Sequence, residues 1–244
     1  YLSSNETIAE QNRTFGVEGI ADGIRKIGNV WNRTQTDGIV AWNWKAGGTA
    51  VSNTDGTITS QVSANVDAGF SIVSYTSQSS GTATVGHGLS SPPDMVIVKT
   101  TGVADSWRTY HSSLGEGFQI FLNTTAAAGA TVNQWNNTSP TNSVFSLGTD
   151  NAGSYTTIAY CFRSISGYSR VGSYIGNGST TGPIIYTGFR PRFIMTKPYS
   201  IGDNWSIWGV NQSGDDIDQI LVPNNSAAQS AIGFGRYDIT LSST

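Results

Sequence analysis

Met95-Val96-Ile97-Val98-Lys99 and, 98 residues further on (193 − 95), Phe193-Ile194-Met195-Thr196-Lys197 are the stretches on which the fold turns. Each is a short apolar run closed by a lysine, preceded at equal spacing by Pro93 or Pro191 and followed at equal spacing by Trp107 or Trp205. Four apolar residues are too few for a helix, and a continuous β-branched run such as Val96-Ile97-Val98 is the signature of a strand covered on both faces. The same offset carries Gly69-Phe70-Ser71-Ile72-Val73 onto Gly167-Tyr168-Ser169-Arg170-Val171. A chain that repeats itself at this period is an array of like units, so the repeat dictates the architecture.

Working outward, Phe70 to Tyr75, Phe118 to Leu122, Val144 to Leu147 and Thr156 to Phe162 alternate or run apolar over four to seven residues. They read as strands, with Ile158, Tyr160 and Phe162 facing one way. Gly86-His87-Gly88, Ser91-Pro92-Pro93-Asp94 and Asn136-Asn137-Thr138-Ser139-Pro140 lie between them and read as turns. Thr124 to Ala130, with Ala126-Ala127-Ala128, is the one place where a helical turn is expected. The fold class is all-β: tandem antiparallel β-sandwich modules, jelly-roll-like in their strand spacing.

A second offset links the start of the chain to its middle. Ile39-Val40-Ala41-Trp42-Asn43-Trp44-Lys45 answers Thr157-Ile158-Ala159-Tyr160-Cys161-Phe162-Arg163, 118 residues apart (157 − 39). The expected organisation is the C-terminal half of a first module over 1–48, a connector over 49–68, a complete module over 69–166, and a second module over 167–244 that is either truncated or finishes differently. Thr57, Ile58 and Val62 leave the connector able to add an edge strand. The start at Tyr1 instead of Met suits a processed or partial product of a longer polypeptide.

Only 12% of the residues are charged and the net charge is −3. Phosphate binding needs clustered Lys and Arg, so no nucleic-acid partner is expected. The tightest basic group, Arg190, Arg192 and Lys197, is interrupted by Pro191 and Phe193. No run of apolar residues approaches the length of a membrane helix, and no membrane partner is expected. The single cysteine, Cys161, sits in the apolar run Ile158 to Phe162 and reads as a buried, inert thiol.

A search for chemistry nominates no catalytic, cofactor-binding or metal-ligating residue, and leaves the ligand-binding residues open. Nucleophilic hydrolysis needs a base beside the nucleophile, and the only histidines, His87 and His111, have no counterparts in the following copy; a turn or packing role is expected for each. Asp215, Asp216 and Asp218 cluster beside Gly214, but without the spacing and distal Glu of a calcium loop they read as an exposed acidic loop. Trp31, Trp135, Trp205 and Trp208 are the candidates for sugar stacking. Trp107 and Trp205 occupy matching positions, which points to the core, and Trp135 beside Asn136-Asn137 is the best placed for an exposed platform.

Ala41 to Gly48, Gly69 to Tyr75, Val85-Gly86-His87-Gly88-Leu89, Trp135-Asn136-Asn137-Thr138 and Ser143 to Gly148 together resemble a repeat domain of tail and other structural proteins of marine and cyanobacterial phages. The resemblance spans nearly the whole chain. It departs after Tyr75, where Thr76 to Gly81 replaces a Gly-Asn-Gly turn that Gly176-Asn177-Gly178 keeps. The resemblance implies a virion or extracellular protein without catalytic residues, part of a tail fibre or other particle appendage. The partners expected are copies of itself, a trimer first among the arrangements, other virion proteins, and a host-surface glycan as a further candidate. A carbohydrate- or receptor-binding adhesion module and a cellular surface-layer or filament protein are the alternatives.

Overall fold

The computed structural model describes residues 4, 6–10, 41–179, 181–209 and 220–226 with their side chains, and strand backbone at 16–20, 23–27, 216–217, 219, 230–231 and 239–240. Among the described residues the regular structure is strand, apart from one short 3-10 turn at Thr149–Asn151. The protein is all-β.

β1 (Gly16–Ile20) and β2 (Gly23–Ile27) form a hairpin. Then β3 (Val51–Asn53), β4 (Ser60–Asn65), β5 (Phe70–Thr76), β6 (Ala83–Gly86), β7 (Met95–Thr100), β8 (Arg108–His111), β9 (Phe118–Phe121), β10 (Gly129–Ala130), β11 (Val144–Leu147) and β12 (Thr156–Phe162) follow. Eight of them make one antiparallel sheet in the order β10-β9-β8-β7-β12-β5-β4-β3, while β6 and β11 pair apart as a short second sheet. β12 is central: its residues pair with β5 on one side and β7 on the other, Cys161 facing Ser71 and Val96. The connector segment, which left an edge strand open at Thr57, Ile58 and Val62, contributes β3 and β4 to one end of the sheet, β3 forming the edge. Val62 of β4 enters the core and Ser60 donates its hydroxyl hydrogen to the Gly86 carbonyl at 3.2 Å.

Period-two patterning gives the large sheet two buried faces. Val73, Tyr75, Val96, Val98, Ala159 and Cys161 point inward against Val85, Phe145, Leu147 and Leu89, the sandwich core. Met95, Ile97, Tyr160 and Phe162 point the other way; Trp107, Ile120 and Leu122 of the same sheet join them in a second cluster, to which Trp205 and Met195 of the next copy are packed. Every side chain from Val96 to Thr100 is buried, as the continuous apolar run required.

β13 (Phe193–Thr196), β14 (Ser206–Gly209), β15 (Asp216–Ile217), β16 (Gln219–Leu221), β17 (Ser230–Ala231) and β18 (Ile239–Thr240) complete the strands. β13-β14-β16-β17 reproduces the meander β7-β8-β9-β10. Phe193 pairs with Gly209 as Met95 pairs with His111, and Ile207 with Leu221 as Thr109 with Ile120. Thr124 to Ala130 makes no helical turn; it runs without regular structure into β10, the Ala128 N–H donating to the Tyr199 carbonyl and the Thr125 carbonyl accepting from Lys197 of the next copy.

Candidate functional site

The interface between successive copies is the most heavily built polar and apolar arrangement among the described residues, and it is built twice. Lys99 leaves the outer face of β7 with no exposed surface. Its ammonium donates to the Asp105 carbonyl at 2.6 Å and to the Thr7 carbonyl, from the first copy, at 3.1 Å. One repeat later, Lys197 donates to the Asp203 carbonyl and to the Thr125 carbonyl at 3.0 Å. The flanking backbone repeats as well: Glu10 N–H donates to Thr101 and Ala128 N–H to Tyr199, each at 2.8 Å. In each case an extended segment of one copy lies along the hairpin loop of the next and is clasped there by a lysine.

The residues around the clasp explain why it recurs. Asp105 and Asp203 each cap the following backbone N–H with a carboxylate oxygen at 2.7 Å, folding the loop so that its carbonyl faces the lysine. Trp107 N–H and Trp205 N–H each donate to an asparagine side-chain oxygen, Asn123 or Asn224, at 2.9 Å. Trp205 is buried against the outer face of the complete module, and its indole N–H donates to the Phe121 carbonyl at 2.8 Å. Burial pulls both lysine ammonium groups below their ordinary range, with Asp105 and Asp203 pushing the other way. A buried ammonium is tolerated only when its donors are satisfied, and here carbonyl oxygens of two copies satisfy them.

Equivalent positions of different copies also meet. Trp44 and Phe162, matched at the 118-residue offset, stand 6.1 Å apart, with Phe70 and Phe193 in the same aromatic group. Ser4 and Pro223, the counterparts of Leu122 in the first and last copies, share a hydrogen bond from the Ser4 hydroxyl at 2.9 Å.

The candidates for sugar stacking are not brought together. Trp135 is 2% exposed: it packs edge-on against Tyr110 at 5.8 Å and donates its indole N–H to the Phe118 carbonyl at 3.1 Å. It is a core residue and not an exposed platform, because Asn136 and Asn137, both at positive φ, turn the chain immediately after it and point the ring inward. Trp205 and Trp208 are buried, the latter with its indole N–H directed to the Thr196 hydroxyl at 3.3 Å. Trp31, Asp215 and Asp218 lie outside the described residues, and Asp216 is described only as backbone in β15.

His87 is fully buried and neutral: its Nδ1 accepts the Leu89 N–H at 3.1 Å, which leaves the Nε2 proton for the Thr141 carbonyl at 3.1 Å. His111 accepts the Ser113 N–H through Nδ1 at 3.2 Å, a turn-closing role. Burial pushes the Cys161 thiol up to about 12, so it is not a nucleophile at neutral pH. Among the described residues no three His, Cys, Asp or Glu side chains converge as metal ligands. An open concavity lined by Lys45 to Gly48 and Ala64 to Asp67 holds Lys45 and Asp67 as its ionisable side chains. No described helix is long and apolar enough to cross a membrane. Of the basic group Arg190, Arg192 and Lys197, the lysine turns into the clasp while both arginines face solvent.

Sequence reasoning found the matched Lys and Trp positions but not the clasp. Asp105 and Asp203 share the 98-residue offset and were the available signal: an aspartate six residues after the lysine in both copies.

The model of one protein family matches residues 1–243, that is, the chain in all but its last residue. The chain belongs to the DUF7483 family. That family is described as a domain of unknown function. Comparison with curated proteins and with solved structures gives no match. The match spans residues 1–243, so both lysine clasps lie within the one matched region.

Proposed function

We propose that this DUF7483 chain is a non-catalytic structural component of an extracellular particle, most concretely a bacteriophage tail fibre or similar virion appendage. Its work is to pack copies of one strand-built unit and present their outer surface. The observation that carries the reading is the duplicated clasp of Lys99 on Thr7 and Lys197 on Thr125. Ionisable side chains that an enzyme would direct at a substrate are here directed at backbone carbonyls between copies. The sheet buried on both faces and the low charge support the same role, since surfaces of this kind suit assembly more than solvation. The phage-tail resemblance of Gly69 to Tyr75 and Trp135 to Thr138 supplies the particle.

The test is labelling. Antibodies raised against the purified chain should decorate an appendage of intact particles in electron micrographs, and the chain should be found by mass spectrometry in purified particles. Release of reducing ends from host polysaccharide, or recovery only from the cell interior, contradicts the proposal.

A further inference from the structure

Among the described residues the exposed indoles are those of Trp42 and Trp44, 37% and 44% exposed, and neither was expected to stack on sugars. Trp44 is nevertheless held in place. Phe193 meets it edge-on at 5.4 Å and Phe162 at 6.1 Å, Phe70 lies tilted against it at 6.4 Å, and Phe193 also meets Trp42 at 5.8 Å. An aromatic ring fixed by its neighbours offers its remaining surface to a ligand at little cost in side-chain ordering.

Immediately after Trp44 the chain is pressed onto β4. A Cβ at Gly47 would collide with the Ala64 carbonyl oxygen, so only glycine passes there. The Asn65 amide donates to the Lys45 carbonyl at 3.1 Å and the Ser63 hydroxyl to the Gly48 carbonyl at 2.7 Å, which pins residues 45–48 alongside the strand. The turn from β4 to β5 is fixed as well: the Asn65 side-chain oxygen accepts the Ala68 N–H, and the Arg163 guanidinium donates to the Val66 carbonyl, each at 3.1 Å. Between these two rims lies the open concavity of about 940 Å³, a size within the usual range of ligand clefts. Phe70, on which Trp44 packs, is the strand partner of Asn65, so the indole stands at the edge of the concavity.

We propose that this concavity, with Trp44 as its platform, binds one neutral pyranose unit of a saccharide. Lys45 and Asp67 are both exposed, and neither side chain hydrogen-bonds or pairs with another described residue. One cation and one anion balance, which favours a neutral ligand over an ion. The Asp67 carboxylate accepts from sugar hydroxyls, the Lys45 ammonium donates to a sugar oxygen, and the indole takes the apolar C–H face of the ring. The site stands on its own geometry and adds a ligand to the packing role, whether or not the chain belongs to a particle.

The experiment titrates the full chain with the methyl glycosides of glucose, galactose, mannose and N-acetylglucosamine, read by saturation-transfer NMR. At least one should saturate with a Kd on the order of 1 mM, with transfer strongest to the C–H protons of one ring face. Asp67→Asn and Trp44→Ala should each weaken that binding about tenfold or more. Asp67→Asn should do so with an unchanged urea midpoint, which separates loss of the site from loss of the fold. Methyl glucuronide should bind more weakly than methyl glucoside, since its carboxylate meets Asp67. Saturation by none of the four glycosides, binding that survives both substitutions, or tighter binding of the glucuronide overturns the proposal. A chain that binds a pyranoside but is absent from particles keeps the site and loses the appendage role; a particle protein that binds none does the reverse.

Discussion

At the scale of single residues, Lys99 and Lys197 are the decisive side chains. Lys99 is buried and Lys197 half-buried, and the hydrogen bonds of each end on carbonyls of two copies, so Lys99→Met leaves the Asp105 carbonyl without its donor and the Thr7 carbonyl with the Asp105 N–H alone. A loss of about 2 kcal/mol in denaturant unfolding is expected for Lys99→Met and again for Lys197→Met. Exposed Lys45→Met should change little, and equal effects at all three positions contradict the clasp. Trp135→Ala should cost about 3–5 kcal/mol as a core cavity, so any loss of glycan binding it causes would follow unfolding. His87 gives a pH dependence. Its folded-state pKa is held below the ordinary histidine value by burial, against the pull of the Thr141 carbonyl and Asp55, and His111 is shifted the same way. The unfolded chain therefore binds protons near pH ~6.5 that the folded chain refuses. Stability is full above that pH and declines on acidification, by at most ~1.4 kcal/mol per histidine per pH unit. Urea midpoints measured between about pH 7.5 and 5.5 should fall for the native chain and fall less for His87→Gln.

At the scale of elements, the turn entering β5 offers a controlled comparison. Gly69 and its counterpart Gly167 both sit at positive φ, +65° and +73°. A Cβ at Gly69 would stand 2.4 Å from the Arg163 carbonyl oxygen, whereas one at Gly167 meets nothing. Gly167→Ala should cost about 1 kcal/mol of backbone strain, and Gly69→Ala roughly 1–3 kcal/mol more, read as the difference between their thermal or urea midpoints. Strands that alternate or run apolar over at least four residues, among them β5, β7 and β12, were legible in the sequence because period and β-branching or aromatic residues agree there. β4 and β8 were not, since Ser60 to Asn65 and Arg108 to His111 are mostly polar and become strands only by pairing with β5 and β7. Thr124 to Ala130 misled for a related reason. Alanine favours a helix in isolation, but here small side chains let the backbone lie flat on the loop of the next copy.

At the scale of the whole molecule, the 98-residue repeat announced like units, and the second sheet face explained what they are for. Met95, Ile97, Tyr160 and Phe162 could be read as outward-facing from alternation alone; that Trp205 and Met195 of the next copy cover them could not, because the covering residues lie nearly a full repeat away in sequence. The candidate site was legible only as matched Lys and Trp positions, since the partners of the lysines are backbone carbonyls, which leave no mark in a sequence. The most direct measurement is an experimental density map of the chain at side-chain resolution. It should show β7-β8-β9 superimposing on β13-β14-β16 strand for strand, with the Lys99 ammonium on the Thr7 carbonyl and the Lys197 ammonium on the Thr125 carbonyl. Hairpins paired in different registers, or either lysine extended into solvent, would contradict the account.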